Sequence, residues 1–218
     1  MINKDTLNFL KNLKCNNNKD WFAIHKEEYS KALSDFENTV KLLIEEIQKF
    51  DSRIVNIEAK DCIFRIYRDV RFAKDKTPYK PNFGAYIADN GRKSTSAGYY
   101  IHLEDENSFL AGGIYMPESN KLKAIRDEIY FNVTSIKIII QEPYFVEYFG
   151  EIVGEKLQRV PKEYPKEYPD ADLLKFKSYT MVHKVDNDFF VSNNSLKNAI
   201  MVFKAMKPFN DFLNSAEL

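Results

Sequence analysis

The chain has 218 residues and a mass of 25.6 kDa. Area scaling for this mass indicates that folding buries about 70% of the surface of the unfolded chain, enough for a core without disulfides or a structural metal. The 32 basic and 32 acidic side chains balance, so the net charge does not favour a polyanionic partner. With 44% hydrophobic residues and only 7 glycines, the composition excludes disordered and fibrous classes.

Signals for targeting and for common cofactors are absent from the sequence. The first residues carry charges throughout and no apolar stretch, which is not typical of a secretory signal. No apolar run approaches the roughly 18 residues that span a bilayer. We therefore expect a cytoplasmic protein without a membrane partner, with Cys15 and Cys62 as free thiols. No zinc, P-loop or dinucleotide motif is present, so no cofactor is predicted.

Apolar spacing predicts helices at the start of the chain. Residues 5–14 form a short amphipathic helix, and the asparagines at 16–18 predict a turn that caps the next helix. Residues 19–50 contain no glycine or proline. They carry an aromatic or leucine residue at every seventh position, namely Phe22, Tyr29, Phe36, Leu43 and Phe50. This spacing predicts one long helix, or two collinear ones, with a single buried face. A coiled-coil seam requires the same stripe, but packing on the chain's own sheet is favoured.

The middle of the chain changes to the period of strands. Residues 62–72 alternate between apolar and polar side chains, which predicts a half-buried strand. Further strands are predicted at residues 83–88, 97–104 and 109–115. Their connections are too short for crossover helices, so the pairing is predicted to be antiparallel. A helix is predicted at residues 119–132, whereas residues 134–140 fit either a strand or a helix.

The last third of the chain contains a proline-rich loop and a final helix. Three prolines make residues 161–170 a loop. Residues 179–185 and 189–191 predict a hairpin, and a helix is predicted from about residue 195, ended or kinked by Pro208. The whole pattern predicts an α+β fold, with a compact antiparallel sheet packed against a long N-terminal helical segment and a C-terminal helix. We expect a single domain over residues 1–218, with the proline-rich loop inside it.

One segment concentrates basic charge. Residues 60–80 hold seven Lys or Arg against three Asp, a net charge of +4 in a neutral chain. Guanidinium groups match phosphate and carboxylate in bidentate geometry, so we expect a site for a small anionic ligand here. Its candidate residues are Arg65, Arg68, Arg71, Lys74, Lys76 and Lys80, with Tyr67 and Tyr79 as walls. On the strand prediction Arg65 and Arg71 share a face, and Arg68 lies on the other among apolar neighbours. The alternative is that these arginines pair with Asp69, Asp75 and helix carboxylates in a structural network.

Three residues outside this segment join the candidate site. Tyr100 and His102 share one face of a predicted strand, and a histidine near neutrality suits general acid or base catalysis. A hydrogen-bonded sheet histidine is the favoured interpretation of His102. Arg126 lies on a predicted helix and is a further candidate for the basic cluster. The three histidines of the chain are scattered, so no metal site is predicted.

The sequence resembles a known family. The run F-R-I-Y-R-D-V-R-F-A-K-D-K-T-P-Y-K looks like the signature of domain of unknown function family 2461. Other matching pieces are F-L-K-N-L-K-C-N-N-N-K-D-W-F, A-G-Y-Y-I-H-L-E, A-G-G-I-Y-M-P and L-K-A-I-R-D-E-I. Together they span about residues 7–213. Ala73 and Cys15 depart from the family pattern, and Ala73 removes a hydroxyl beside Phe72. The resemblance implies an intracellular α+β domain without an established activity.

Three functions stay open at this point. The favoured one is binding of a small anionic ligand at the basic segment. The second is nucleic-acid binding, for which basic residues interleaved with Tyr and Phe are suited, although the neutral net charge argues against it. The third is an interaction or scaffold role. No nucleophile with an adjacent base is evident, so no catalytic residue is predicted. Whether the protein is an enzyme, and its oligomeric state, stay open.

Overall fold

The computed structural model describes residues 1–216. Within them the helices are α1 (Lys4–Cys15), α2 (Lys19–Ile24), α3 (Lys26–Gln48), α4 (Ala59–Cys62), α5 (Ser119–Phe131), α6 (Val133–Gln141), α7 (Pro143–Phe149), α8 (Ala171–Leu174), α9 (Asn187–Val191) and α10 (Ser195–Ser215). The strands are β1 (Asn82–Ile87), β2 (Gly98–Glu104), β3 (Phe109–Ile114) and β4 (Tyr179–Lys184). The predicted strands at 83–88, 97–104 and 109–115 are confirmed to within one residue, and the ambiguous stretch at 134–140 is helical.

The strands form one antiparallel sheet in the order β1-β2-β3-β4. Helices cover one of its faces. Phe36 of α3 stacks on Phe83 of β1, with ring centroids 5.3 Å apart, and Phe203 of α10 lies 5.3 Å from Tyr99 of β2. A Cβ at Gly112 of β3 would lie 2.8 Å from the sulfur of Met206, so this glycine permits the close approach of α10. The predicted α+β class, with helical segments from both ends of the chain on a compact sheet, is confirmed.

The seven-residue stripe of the first helices is buried inside the chain. Phe36, Val40, Leu43 and Ile47 of α3 are 0% exposed and belong to the hydrophobic core. The predicted helix is divided into α2 and α3 at His25. The side chain of Asn18 accepts a hydrogen bond from the N–H of Trp21 and caps α2, as predicted. The stripe therefore serves core packing rather than a coiled-coil seam.

The predicted strand at residues 62–72 is wrong. Cys62 ends α4, and the segment that follows is irregular, with isolated antiparallel bridges at Ile63 and Tyr67. Ile63 and Ile66 are buried, a spacing of three, whereas Phe72 is fully in solvent. The alternation of apolar residues therefore does not reflect one buried face. The segment pairs briefly with β1 and then leaves it, so its side chains do not keep a strand period.

Near the C-terminus one prediction is wrong, and one of the two alternatives for the final helix is excluded. The predicted second arm of a hairpin at residues 189–191 lies in α9, whose start is capped by the side chain of Asp186. The final helix does not end at Pro208 but continues to Ser215. Proline leaves the carbonyl of Lys204 without its helical donor. Lys204 is exposed, so water is available to this carbonyl, while the burial of Phe209 holds the helix on the core.

A buried carboxylate joins three parts of the fold. Asp51, in the loop after α3, is 1% exposed. It accepts hydrogen bonds from the hydroxyl of Tyr99 at 2.8 Å and from Nε and Nη2 of Arg53 at 3.1 and 3.0 Å. Arg53 also contacts Asp211 of α10 at 2.9 Å. Burial raises the pKa of Asp51, but the hydrogen bonds from Arg53 and Tyr99 outweigh it, so the pKa lies below its ordinary 3.8.

Replacing Tyr99 with Phe tests this buried contact. The ring is kept and one donor to a buried carboxylate is lost, which should destabilise the fold by about 1–3 kcal/mol and lower the Tm by about 2–4 °C per kcal/mol. Because the folded pKa of Asp51 is depressed, its stabilisation is complete above its unfolded pKa and is lost as the pH falls through the folded value. The difference in unfolding free energy between the wild type and Tyr99→Phe, measured by urea denaturation, should therefore be smaller in acid than at neutral pH. Tyr29→Phe is the control, because no hydrogen bond joins the Tyr29 hydroxyl to the described residues. Equal losses of stability in Tyr99→Phe and Tyr29→Phe would contradict a stabilising hydrogen bond from Tyr99 to Asp51.

Candidate functional site at a basic hairpin

Residues 66–80 form a hairpin, here called the basic hairpin, whose arms are joined by irregular pairing. Tyr67 bridges antiparallel to Tyr79. The backbone N–H groups of Arg68 and Lys80 donate to carbonyls on the opposite arm, at 2.9 and 2.8 Å. These contacts fix the neck of the hairpin, and the remaining residues between its arms project as a loop.

The turn between α1 and α2 anchors this neck. The side-chain amide of Asn17 donates to the carbonyl of Tyr79 at 2.9 Å and accepts from its N–H at 3.1 Å. The ring of Tyr79 stacks on Phe22 of α2 with centroids 4.0 Å apart. Tyr79 is buried, so it attaches the hairpin to the helices rather than forming an open wall of a site.

Arginines of the basic hairpin pair with acidic residues of its loop, residues 69–77. Nη1 of Arg68 donates to Asp75 and to the hydroxyl and carbonyl of Thr77. Arg71 pairs with Asp69 through two hydrogen bonds, at 2.9 and 2.6 Å. The N–H of Thr77 and the guanidinium of Arg68 lower the pKa of Asp75 to about 2. Arg68 and Arg71 therefore pair with carboxylates of the loop, as in the alternative of a structural network.

An open cleft of about 420 Å³ lies beside the neck. It is lined by Lys14, Asn17, Arg68, Asp75, Thr77, Lys80, Pro81 and Asn82. Three cations therefore face one cleft. Lys14 comes from α1. Arg68 and Lys80 come from the two arms of the basic hairpin, so three separate stretches of the chain supply the cations.

Lys80 differs from the other two cations of the cleft. Among residues 1–216, no carboxylate lies within 4.0 Å of its ammonium group, whereas Lys14 contacts Glu104 at 3.0 Å and Arg68 contacts Asp75. The ammonium lies 5.8 Å from the centroid of the Phe64 ring. Burial lowers the pKa of Lys80, and the charge of Arg65 lowers it further. Lys80 is thus a half-buried cation without a counterion in the described part of the chain.

A chain of polar groups runs from the cleft along β2. Glu104 contacts Nε2 of His102 at 3.2 Å, and Nδ1 of His102 lies 3.2 Å from the hydroxyl of Tyr100. Because an ionised carboxylate only accepts, Nε2 carries the proton and Nδ1 accepts from Tyr100. Burial lowers the pKa of His102 in spite of Glu104, and burial raises the pKa of Tyr100 to about 12. His102 stacks on Phe109, 4.5 Å between centroids, so it is a hydrogen-bonded sheet histidine, as favoured above.

The remaining candidates lie outside the cleft. Arg65, just before the basic hairpin, and Lys74 and Lys76 within it are exposed. Nζ of Lys76 donates to the backbone carbonyls of Val70 and Arg71. Tyr67 is half in solvent. Of the residues predicted from the sequence, only Arg68 and Lys80 line the cleft, with His102 and Tyr100 connected to it through Glu104 and Lys14.

Arg126 is placed elsewhere in the fold. It lies on α5, and its Nη2 donates to the carbonyl of Phe176 at 2.9 Å. Its Nε is buried, with no hydrogen-bond partner among the described residues. The neighbouring Asp127 accepts from Tyr164 of the proline-rich loop at 2.7 Å. Arg126 and its surroundings therefore attach that loop to α5 and do not extend the basic cluster.

Several cleft residues were not predicted from the sequence. Lys14 and Asn17 are far from the basic segment in sequence and reach it only through the fold, whereas Asn82 follows the segment by two residues. One signal was available at Asn17, which follows Asn16 and precedes the capping Asn18. A helix start uses one such cap, so a second asparagine beside it is free to bind backbone elsewhere.

The sequence model of one family, conserved hypothetical protein (DUF2461), matches residues 5–212. The chain belongs to this family. The resemblance seen in the basic segment and the other matching pieces is confirmed by this match. No curated protein and no solved structure matches the chain. The description of the family names no activity, so the arguments for a function depend on the geometry of the cleft.

Neither a membrane-spanning helix nor a cluster of metal ligands is found in the described residues. No helix in residues 1–216 combines the length and apolar character needed to cross a bilayer. In the same residues, no three His, Cys, Asp or Glu side chains are grouped so that they could hold a metal ion.

The two lysines of the cleft should titrate on opposite sides of the ordinary lysine pKa of 10.5. Lys80 is expected below it because of burial and Arg65, and Lys14 above it because of its hydrogen bond and ion pair with Glu104. Heteronuclear NMR of the lysine side chains over alkaline pH measures both. Arg65→Gln should raise the pKa of Lys80 and leave Lys14 unchanged. Titration of Lys80 together with or above Lys14 would show that its ammonium is not desolvated.

Proposed function

We propose that the protein binds a small anion, bearing a phosphate or a carboxylate, in the cleft between Lys14, Arg68 and Lys80. The observation that carries this proposal is the half-buried ammonium of Lys80, which faces the cleft without a carboxylate within 4.0 Å in residues 1–216. A buried charge without a partner is unfavourable. An anion in the cleft would supply the missing counterion.

Arg68 offers a second donor group to the same anion. Its hydrogen bonds to Asp75 and Thr77 are all made through Nη1. Nη2 and Nε have no hydrogen-bond partner among the described residues, and neither atom is buried. The contacts of Nη1 hold the guanidinium plane in place, so its free edge is preorganised for an acceptor. Lys14, whose side chain is 51% exposed, adds a third positive charge.

The dimensions of the cleft favour a ligand of metabolite size. Its volume of about 420 Å³ lies within the range of small-molecule sites. The cleft is open and seven of its eight lining residues are polar or charged, unlike the enclosed apolar pockets that bind drug-like molecules tightly. Recognition would therefore rest on charge and hydrogen bonds, with part of the ligand remaining in water. We expect modest affinity that weakens as salt is added.

Thermal shifts with defined anions test the proposal. Phosphate, sulfate, sugar phosphates and acyl carboxylates are added separately to the wild type and to two variants. A ligand at about 100 times its Kd stabilises by about 2.7 kcal/mol, which corresponds to about 5–10 °C for a chain of this size. Lys80→Met should abolish the shift. Lys74→Met, which removes an exposed lysine of the same hairpin outside the cleft, should preserve it.

The result that opposes the proposal is equally specific. If the two lysine variants lose the shift to the same extent, the anions bind the general positive charge of the hairpin and not the cleft. The proposal also fails if no anion stabilises the wild type. Without ligand, Lys80→Met should melt at or above the wild-type temperature, because it removes an unpaired half-buried charge.

A further inference from the structure

The tip of the basic hairpin presents an apolar side chain to solvent. Phe72 is 95% exposed, the highest value of any large hydrophobic residue in residues 1–216. It lies near the middle of the loop of residues 69–77, beyond the fixed neck. It is neither part of the core nor packed against it. Phe72 therefore makes no contribution to the packing of the core.

The loop is braced in a way that keeps Phe72 in this position. Lys76 donates to the carbonyls of Val70 and Arg71, which flank Phe72 on its N-terminal side. Arg71 is held by Asp69. The two sides of the loop are thus joined below the tip. Because these hydrogen bonds already order the loop, little conformational entropy would be lost when the ring enters an apolar environment.

Basic residues neighbour Phe72 in the sequence. Residues 65–76 hold five Lys or Arg against two Asp, in a chain whose total charges balance. Arg71, Lys74 and Lys76 lie within four residues of Phe72 and are all exposed. An apolar ring at a loop tip with cations around it matches an anionic bilayer surface, where the ring enters the headgroup region and the cations contact lipid phosphates and carboxylates. A single ring is too small for a stable protein interface.

We propose that the tip of the basic hairpin docks reversibly on an anionic lipid surface, with Phe72 inserted and Arg71, Lys74 and Lys76 at the headgroups. This contact does not depend on the anion site in the cleft. Lys80→Met should leave lipid binding unchanged, and Phe72→Ala should leave anion binding in the cleft unchanged. Failure of one proposal is therefore distinguishable from failure of the other.

Co-sedimentation with vesicles tests the docking. The protein should bind phosphatidylcholine vesicles that contain phosphatidylserine, should not bind phosphatidylcholine alone, and should be released by salt. Phe72→Ala should weaken partitioning at least about tenfold, as expected when one aromatic ring is removed from apolar surroundings. Phe131→Ala is the matched control, because Phe131 is 76% exposed at the end of α5, outside the basic segment. It should bind as the wild type does.

A spectroscopic variant checks insertion directly. The chain has one tryptophan, Trp21, near the start of α2. In Phe72→Trp, the added indole should shift its emission to the blue when anionic vesicles are added, while Trp21 in the wild type should not respond. The proposal is overturned if Phe72→Ala binds as the wild type does, if binding ignores lipid charge, or if no vesicle binds. It is also overturned if Phe72 supports binding of single-stranded RNA and not of vesicles.

Discussion

The amide of Asn17 pairs with both backbone groups of Tyr79, and the geometry of the candidate site depends on this contact. It joins the turn between α1 and α2 to a hairpin sixty-two residues further along the chain. The stacking of Tyr79 on Phe22 reinforces it. Because both arms of the hairpin meet at Tyr79, the contact fixes where Arg68 and Lys80 stand relative to Lys14. Without it, Arg68 and Lys80 would stay together on the paired arms of the hairpin, but Lys14 would belong to a separate surface segment and would not face the same cleft.

Positive charge on the hairpin is divided between two roles. Arg68 and Arg71 use loop carboxylates to brace the backbone, and an exposed pair such as Arg71 with Asp69 adds little stability by itself. Lys80 has no such partner in the described residues and is half-buried beside Arg65 and Phe64. The count of basic residues in the segment therefore overstates the number of cations available to a ligand. Burial and the absence of a counterion, and not the net charge, single out Lys80.

Most of the fold was predictable because its elements follow simple periods. The stripe of α3 and the short connections of β1 to β3 lead directly to helices on an antiparallel sheet. The prediction of a strand at residues 62–72 is wrong because the alternation of apolar and polar residues does not show whether a neighbouring strand pairs with the whole segment. Only some residues of the cleft were predictable from the sequence. Arg68 and Lys80 stand out by type, but Asn17 and Lys14 join them through long-range packing, and the pairing of arginines with Asp69 and Asp75 depends on the path of the loop.

The most direct test of the central claim is to map an anion onto the chain by NMR. Backbone amide shifts are followed while phosphate is titrated into the wild-type protein. The account predicts that the largest changes cluster at the amides of Asn17, Thr77, Lys80 and Asn82, which line one cleft. Small changes are expected at Lys74, which is exposed on the same hairpin. Changes that spread evenly over all exposed basic residues, or that centre on Arg126, would contradict the account.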